Sequence, residues 1–213
     1  MDIHERVTQW HTSDGVSFFR KMNFPSNAVI LDFGAGYGEY SIALALSADY
    51  TVYAVDKNPK MLGHIQRKME QYHVGNIILC EADVSSKCVF ANDFADAILM
   101  YDLIHGNDLA TKLPLRFRFF EEAHRILKPH GVLSVAPFEC ANLRDKTGKR
   151  KKYTLEKLIR EIEDNGFQYR QNIDGAVHFD YYHSDYHWKK LNGCMAFDYL
   201  EKGVALNFAR MEK

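Results

Sequence analysis

The sequence predicts an α/β domain, a mostly parallel sheet covered by helices. Three observations carry that expectation. Short apolar runs alternate with segments of helical period along most of the chain. One such run, "VILDFGAGYGEYS" at 29–41, ends in an acid followed by glycines at every second position. That is the mark of a strand entering a backbone loop that hugs a ligand. The length, 213 residues, suits a single domain spanning 1–213 with an insertion at about 175–193.

Taken in order, residues 14–22 read as a short helix with Val16, Phe19 and Met22 inward, and 28–33 as the first buried strand. A helix over 38–47 follows, with Ile42, Leu44, Ala45 and Leu46 available to pack on the sheet. "YTVYAV" at 50–55 is the second strand, closed by Asp56. Pro59 stands where a helix favours proline, and Met61, Leu62, Ile65 and Met69 share one face of a helix over 59–72. Strands are expected at 76–80 and 94–101, and a helix at 116–127. "KPHG" reads as a turn before a fifth strand at 132–138. Thr154 caps a helix that Gly166 stops, and strands at 167–173 and 203–211 complete the pattern. Two segments break the rhythm: a basic loop at 144–152 and an aromatic, histidine-rich stretch at 175–193.

Composition narrows the function classes. The hydrophobic fraction is 46% and the charged fraction 26%, both ordinary for a soluble protein. A net charge of −1 argues against coating nucleic acid through bulk charge. Cys80, Cys88, Cys140 and Cys194 form no C-x-x-C pair, which fits reduced thiols in a cytoplasmic protein. No signal peptide and no apolar run long enough to span a membrane is visible.

The glycine loop is informative about its ligand. Gly34, Gly36 and Gly38 sit between a strand and a helix N-terminus, at the carboxyl end of the sheet. A dinucleotide fingerprint, G-x-G-x-x-G/A, needs a small residue at 39 or 41, where Glu39 and Ser41 stand. No G-K-[ST] occurs, so a P-loop is excluded. The acid before the loop, Asp32, suits a ligand with a cationic end, such as the ammonium and sulfonium of S-adenosylmethionine. Asp56, at the end of the second strand, can accept from ribose hydroxyls, and Asp83, after the third, from an adenine amino group.

Four segments in this order resemble the class I S-adenosylmethionine-dependent methyltransferases, in particular the ubiquinone/menaquinone-biosynthesis-like small-molecule subgroup. They are "VILDFGAGYG", "VYAVDKNPKML", "CEADV" and "EEAHRILKPHGVLSVAPF", together covering about 28–140. The resemblance implies a Rossmann-like three-layer α/β/α sandwich with a seven-stranded sheet whose last strand is antiparallel. It implies that Gly34, Ala35, Gly36, Tyr37 and Gly38 hold the methionine end of the cofactor. Asp56, with Lys57 beside it, would bind the ribose, and Asp83 with the Val84 N–H the adenine. Tyr101 would lie near the methyl group. Trp10 and His11 would close over the cofactor. His130 stands where the family has a second glycine, so the turn is expected to survive with His130 outside.

The acceptor is read mainly by exclusion. "MYDLIHGND" contains no [DNS]-P-P-[YFW] run and no Pro-Cys pair, which argues against amino-group and pyrimidine C5 methylation by those routes. Asp102 and His105 are candidates to act as base or to orient the acceptor, with Tyr101 beside them. His178, His183, Tyr186 and His187 are candidate acceptor contacts in an aromatic lid. A packed hairpin and a metal site are the competing readings of that cluster, and no metal is expected. The resulting expectation is an enzyme that moves a methyl group from S-adenosyl-L-methionine to a small-molecule acceptor by in-line displacement, leaving S-adenosyl-L-homocysteine. The alternatives are an RNA or protein methyltransferase using 144–152, and a non-catalytic module that binds S-adenosylmethionine or NAD. Nothing in the sequence sets the oligomeric state or the acceptor atom.

Overall fold

A computed structural model describes residues 3–137, 143–151, 153–177, 179–180, 187–188 and 203–212. The chain opens on helix α1 (Ile3–Gln9), passes through a five-residue π-turn (Trp10–Asp14) and continues as α2 (Gly15–Arg20). Then come β1 (Val29–Phe33), α3 (Glu39–Ser47), β2 (Thr51–Asp56), α4 (Pro59–Tyr72) and β3 (Ile77–Glu81). The second half supplies β4 (Ala95–Tyr101), α5 (Arg116–Ile126), β5 (Leu127–Ala136), α6 (Leu155–Glu163) and β6 (Phe167–Asp174). Two short strands, β7 (Phe179–Asp180) and β8 (His187–Trp188), pair with each other before β9 (Val204–Arg210).

Seven strands form one sheet in the order β3-β2-β1-β4-β5-β9-β6. β9 runs antiparallel between β5 and β6, and the other pairings are parallel. This is the Rossmann-like α/β/α sandwich, with the antiparallel last strand that the sequence resemblance implies. The strands from β1 run outward to β3 on one side and from β4 onward on the other. The order therefore reverses between β1 and β4, and the carboxyl ends of these two strands open a crevice for a ligand.

Each face of the sheet has its own core. On one side Trp10, Phe18, Phe19, Tyr40, Ile42, Leu44 and Ile65 pack from the N-terminal helices, α3 and α4. On the other, Phe119, Phe120, Ala123, Leu158 and Ile162 pack from α5 and α6. Local chemistry fixes the ends of the helices. Asn58 caps α4 by accepting from the Lys60 N–H, Thr154 caps α6 through the Lys157 N–H, and Pro59 occupies the first turn of α4.

Two expectations are corrected. The helix expected over 14–22 is present as α2, but it is preceded by a further helix, α1, which starts at Ile3. Its period is broken because the π-turn adds a residue, so the neighbours Trp10 and His11 are both fully buried. "KPHG" does make its turn, but as a bulge inside β5: Ala95 pairs with Leu127 and Ala97 with Val132. His130 is exposed there with a left-handed φ of 62°, the conformation a glycine would take without strain. Gly131 has no room for a side chain, since a Cβ would lie 2.9 Å from the Lys128 carbonyl and 3.2 Å from that of Asp96.

Candidate functional site

The crevice is built around the loop from Gly34 to Gly38. Gly34, Gly36 and Gly38 all have left-handed φ angles, of 70°, 52° and 81°. A Cβ on Gly34 would sit 2.8 Å from Leu103 and one on Gly38 2.7 Å from Ile65. Gly36 is different: a Cβ there would meet only its own loop's Gly34 carbonyl, at 3.8 Å, and would project into open space. Two glycines are thus needed for packing, and the third leaves the loop surface clear for a ligand.

The loop is tied to β2 by its backbone. The N–H groups of Gly34 and Ala35 donate to the Val55 carbonyl at 2.8 and 3.0 Å, and the Gly36 N–H donates to Asp56 Oδ2 at 2.9 Å. Asp56 Oδ1 accepts from the Asn58 N–H at 2.8 Å. Each oxygen of Asp56 therefore carries one internal bond and keeps acceptor capacity for a further donor. Asp56 both shapes the loop and faces the crevice.

Asp32, one residue before the end of β1, is buried and accepts from Ser41 Oγ at 2.6 Å. Burial pushes its carboxyl up to about 7, against the Ser41 hydrogen bond and with help from the nearby Asp56. An acid held this way gains ionisation when a cation arrives. Asp83 is exposed on the loop after β3 and accepts from the Ser85 N–H and hydroxyl at 2.9 and 2.7 Å. Partial burial raises its carboxyl, but the Ser85 bonds and the Lys57 charge outweigh this and hold it below the usual range. Val84 beside it is buried, and Lys57 is exposed.

Beyond β4 the chain turns sharply. Asp102 has φ 55°, a left-handed angle that aspartate tolerates better than most residues. His105 Nδ1 lies 3.5 Å from Asp102 Oδ1, and both side chains are about one-third exposed or less. Leu103 between them is the residue that touches Gly34, so the pair stands next to the glycine loop.

Two sequence candidates occupy the wall rather than the opening. Tyr101 is 3% exposed; its ring stacks on Phe19 and meets Tyr40 edge-on, and its hydroxyl shares a 2.8 Å bond with Ser134. Burial drives its phenol far above the ordinary value. Trp10 is fully buried and its indole N–H donates to the Glu39 carbonyl at 3.0 Å. The indole packs beneath the first turn of α3. His178, His183 and Tyr186 lie outside the described residues, and His187 falls in β8. The mouth of that segment is anchored to the core: the Tyr40 hydroxyl donates to the Val177 carbonyl at 2.7 Å.

Sequence reasoning missed Glu39, Lys68 and Ser41. Glu39 is 2% exposed and joins Lys68 Nζ at 2.5 Å and His11 Nε2. Nothing in local spacing signals partners 29 residues apart. The open groove of about 1270 Å³ lined by Lys87, Asp108, Arg118 and Gly166 lies along α5 and does not include the glycine loop. The switch crevice, by contrast, gathers the glycine loop, the buried Asp32 and the half-buried Asp56.

The fold and geometry have counterparts among known proteins. A family model described as a methyltransferase domain matches residues 30–131. The matched span and the sheet topology support a class I S-adenosylmethionine-dependent methyltransferase. The methyl donor that these matches imply is S-adenosylmethionine. The residues fit it: the clear loop surface at Gly36 can take the close approach of a ligand, and Asp32 and Asp56 suit a cationic, hydroxyl-bearing one. No curated protein matches this sequence. Among solved structures, an S-adenosylmethionine-dependent methyltransferase from Aquifex aeolicus is 18% identical, with all of both chains covered and a TM-score of 0.63. A putative methyltransferase solved in complex with the Haloferax volcanii Trm112 activator is 15% identical, covering 97% of this chain and 91% of that one, TM-score 0.65. The cyclase SpnF is 16% identical over 93% of this chain and 80% of its own, TM-score 0.63. At these identities the structures speak to the fold. Among the described residues no helix is long and apolar enough to cross a membrane.

Proposed function

We propose that this methyltransferase acts on a small-molecule acceptor held at Asp102 and His105. The observation that carries the reading is their pairing, 3.5 Å apart, beside the residue that packs on Gly34. Bound S-adenosylmethionine supplies an already activated methyl group, so the chain's task is mainly alignment. Gly34, Ala35, Gly36, Tyr37 and Gly38, with Asp32, hold the methionine end. Asp56 and Lys57 flank the ribose, and Asp83 with Val84 takes the adenine. His105, oriented by Asp102, accepts or steers the acceptor's proton. Tyr101 and Trp10 shape the walls, because their polar atoms are engaged within the protein. His178, His183, Tyr186 and His187 are assigned to the acceptor side of the cover.

The basic loop supports a macromolecular acceptor less well. Within it Lys151 pairs with Asp145 at 2.8 Å, and Arg144 donates to the Gly148 carbonyl at 2.7 Å. Asp145 also accepts from Thr147 and the Lys149 N–H, so its carboxylate ties the loop into a compact turn. Incubation with labelled donor and a cell extract split into metabolite, RNA and protein fractions tests the reading. Label in metabolites that disappears in His105→Ala supports it. Label in RNA or protein alone sinks it, and donor binding without transfer to any fraction returns the protein to a binding module.

A further inference from the structure

The strongest feature outside the crevice is a buried polar hub on Glu39. The carboxylate stands at the first residue of α3, where a dinucleotide-binding loop would have its third small residue. Lys68, from α4, donates to Glu39 Oε1 at 2.5 Å and to the Tyr37 carbonyl at 3.0 Å. His11, from the π-turn, pairs with the other carboxylate oxygen through Nε2 and shares a 3.0 Å bond with the Tyr72 hydroxyl through Nδ1. Trp10 donates to the Glu39 carbonyl. Gly15 closes the junction, since a Cβ there would lie 2.7 Å from Trp10 and from Ala43. The glycine loop, α3, α4 and the N-terminal helix therefore meet on one side chain that solvent does not reach.

Burial would push the Glu39 carboxyl up, but the His11 hydrogen bond and the Lys68 charge outweigh it and hold it at about 2. Lys68 is lowered as well: loss of water lowers its ammonium more than its carboxylate partner Glu39 restores. A buried pair of this kind adds little stability over apolar residues of equal volume. What it does fix is geometry. Lys68 spans residues 37 and 39, the two sides of Gly38, and so clamps the end of the cofactor loop from outside. π-turns are frequent at functional sites, and this one brings the neighbours Trp10 and His11 both onto Glu39.

We propose that Glu39, Lys68 and His11 are positioning residues for the methyl donor, coupling the seating of the N-terminal helix to the shape of the glycine loop. None of them touches the crevice; they act through the Tyr37 carbonyl and Gly38. α1 also contacts β8 of the aromatic segment, so the helix that the hub seats is in touch with the acceptor-side cover. The inference rests on the donor site and is independent of which acceptor is used.

The test uses the full chain and S-adenosylhomocysteine, whose binding needs no acceptor. In the unaltered protein, hydrogen exchange across 3–20 should slow when S-adenosylhomocysteine binds. Unchanged exchange there overturns the coupling, whatever the variants do. An apolar hub, Glu39→Leu with Lys68→Met, should keep the melting temperature within the range of the parent yet bind S-adenosylhomocysteine about tenfold more weakly. It should also lose the exchange response in 3–20. Glu39→Gln with Lys68 retained should bind between the two. Parent-like affinity in a folded apolar-hub variant overturns the proposal. If that variant does not fold, Lys68→Arg decides: it keeps the charge but changes the reach, and an affinity equal to the parent's overturns the clamp.

Discussion

Asp32→Asn tests how the loop is tuned for a cation. In the folded chain the Asp32 carboxyl is raised from 3.8 to about 7, with burial as the leading cause. Below the lower value both folded and unfolded states hold the proton and burial carries no electrostatic cost. Between the two values the unfolded chain ionises while the folded one keeps its proton, so stability falls with pH by about 1.4 kcal/mol per unit. Above about 7 both are ionised and the cost levels off at about 4 kcal/mol. Asparagine is neutral throughout and its amide oxygen can still accept from Ser41. The substitution should therefore stabilise the ligand-free protein by about 1.5 kcal/mol at pH 5 and about 4 kcal/mol at pH 8. Urea unfolding followed by tryptophan fluorescence at the two pH values reads this directly. The same variant should bind S-adenosylmethionine more weakly at pH 8, since a neutral amide replaces the carboxylate near its cationic end. A stability difference that is the same at both pH values, or a loss at pH 8, would refute the account of a destabilised carboxylate held for a cation.

Asp56→Ala removes the acceptor of the Gly36 N–H as well as the proposed ribose contact, and should weaken S-adenosylhomocysteine binding by about 1–3 kcal/mol in calorimetry. His105→Ala should lower kcat about 10²-fold or more while leaving donor affinity within a factor of about two, and Asp102→Asn should lower kcat by less. Gly38→Ala should lower the melting temperature and donor affinity together, because its Cβ would fall 2.7 Å from Ile65 in a left-handed backbone. His130→Gly should stabilise the fold by about 0.5–1 kcal/mol in thermal melts, the relief of a left-handed residue less the freedom glycine gains when unfolded.

Much of the fold was legible in the sequence because its signals are local. β1 and β2 are apolar runs closed by acids or glycines, and Asn58, Pro59 and Thr154 announce helix starts by chemistry confined to one turn. The crevice was legible for the same reason: Gly34, Gly36 and Gly38 and the acids at strand ends are placed by the chain's own order. What escaped depends on distance. Glu39 looked like a residue that merely excluded a dinucleotide; its partners Lys68 and His11 arrive from other helices. The π-turn was hidden because it puts the neighbours Trp10 and His11 on one side, against the helical period. Tyr101 at the end of a strand reads as exposed to ligand, yet α2 and α3 cover it with Phe19 and Tyr40. The bulge at His130 breaks the strand pattern for four residues, Lys128 to Gly131, so the sequence shows a turn where the backbone rejoins β5.

The place of β9 has a consequence for the order in which the molecule is made. β5 and β6 are close in sequence but never pair; the slot between them is filled by 204–210. During synthesis every strand up to β6 can emerge and still leave β5 with an open edge and β6 with no neighbour. The sheet is completed only by threading one late strand, in the opposite direction, into its interior. A nascent chain halted before Val204 should thus hold an assembled β3-β2-β1-β4-β5 block with an unpaired, hydrophobic flank, and that flank is where ribosome-bound chaperones should be found.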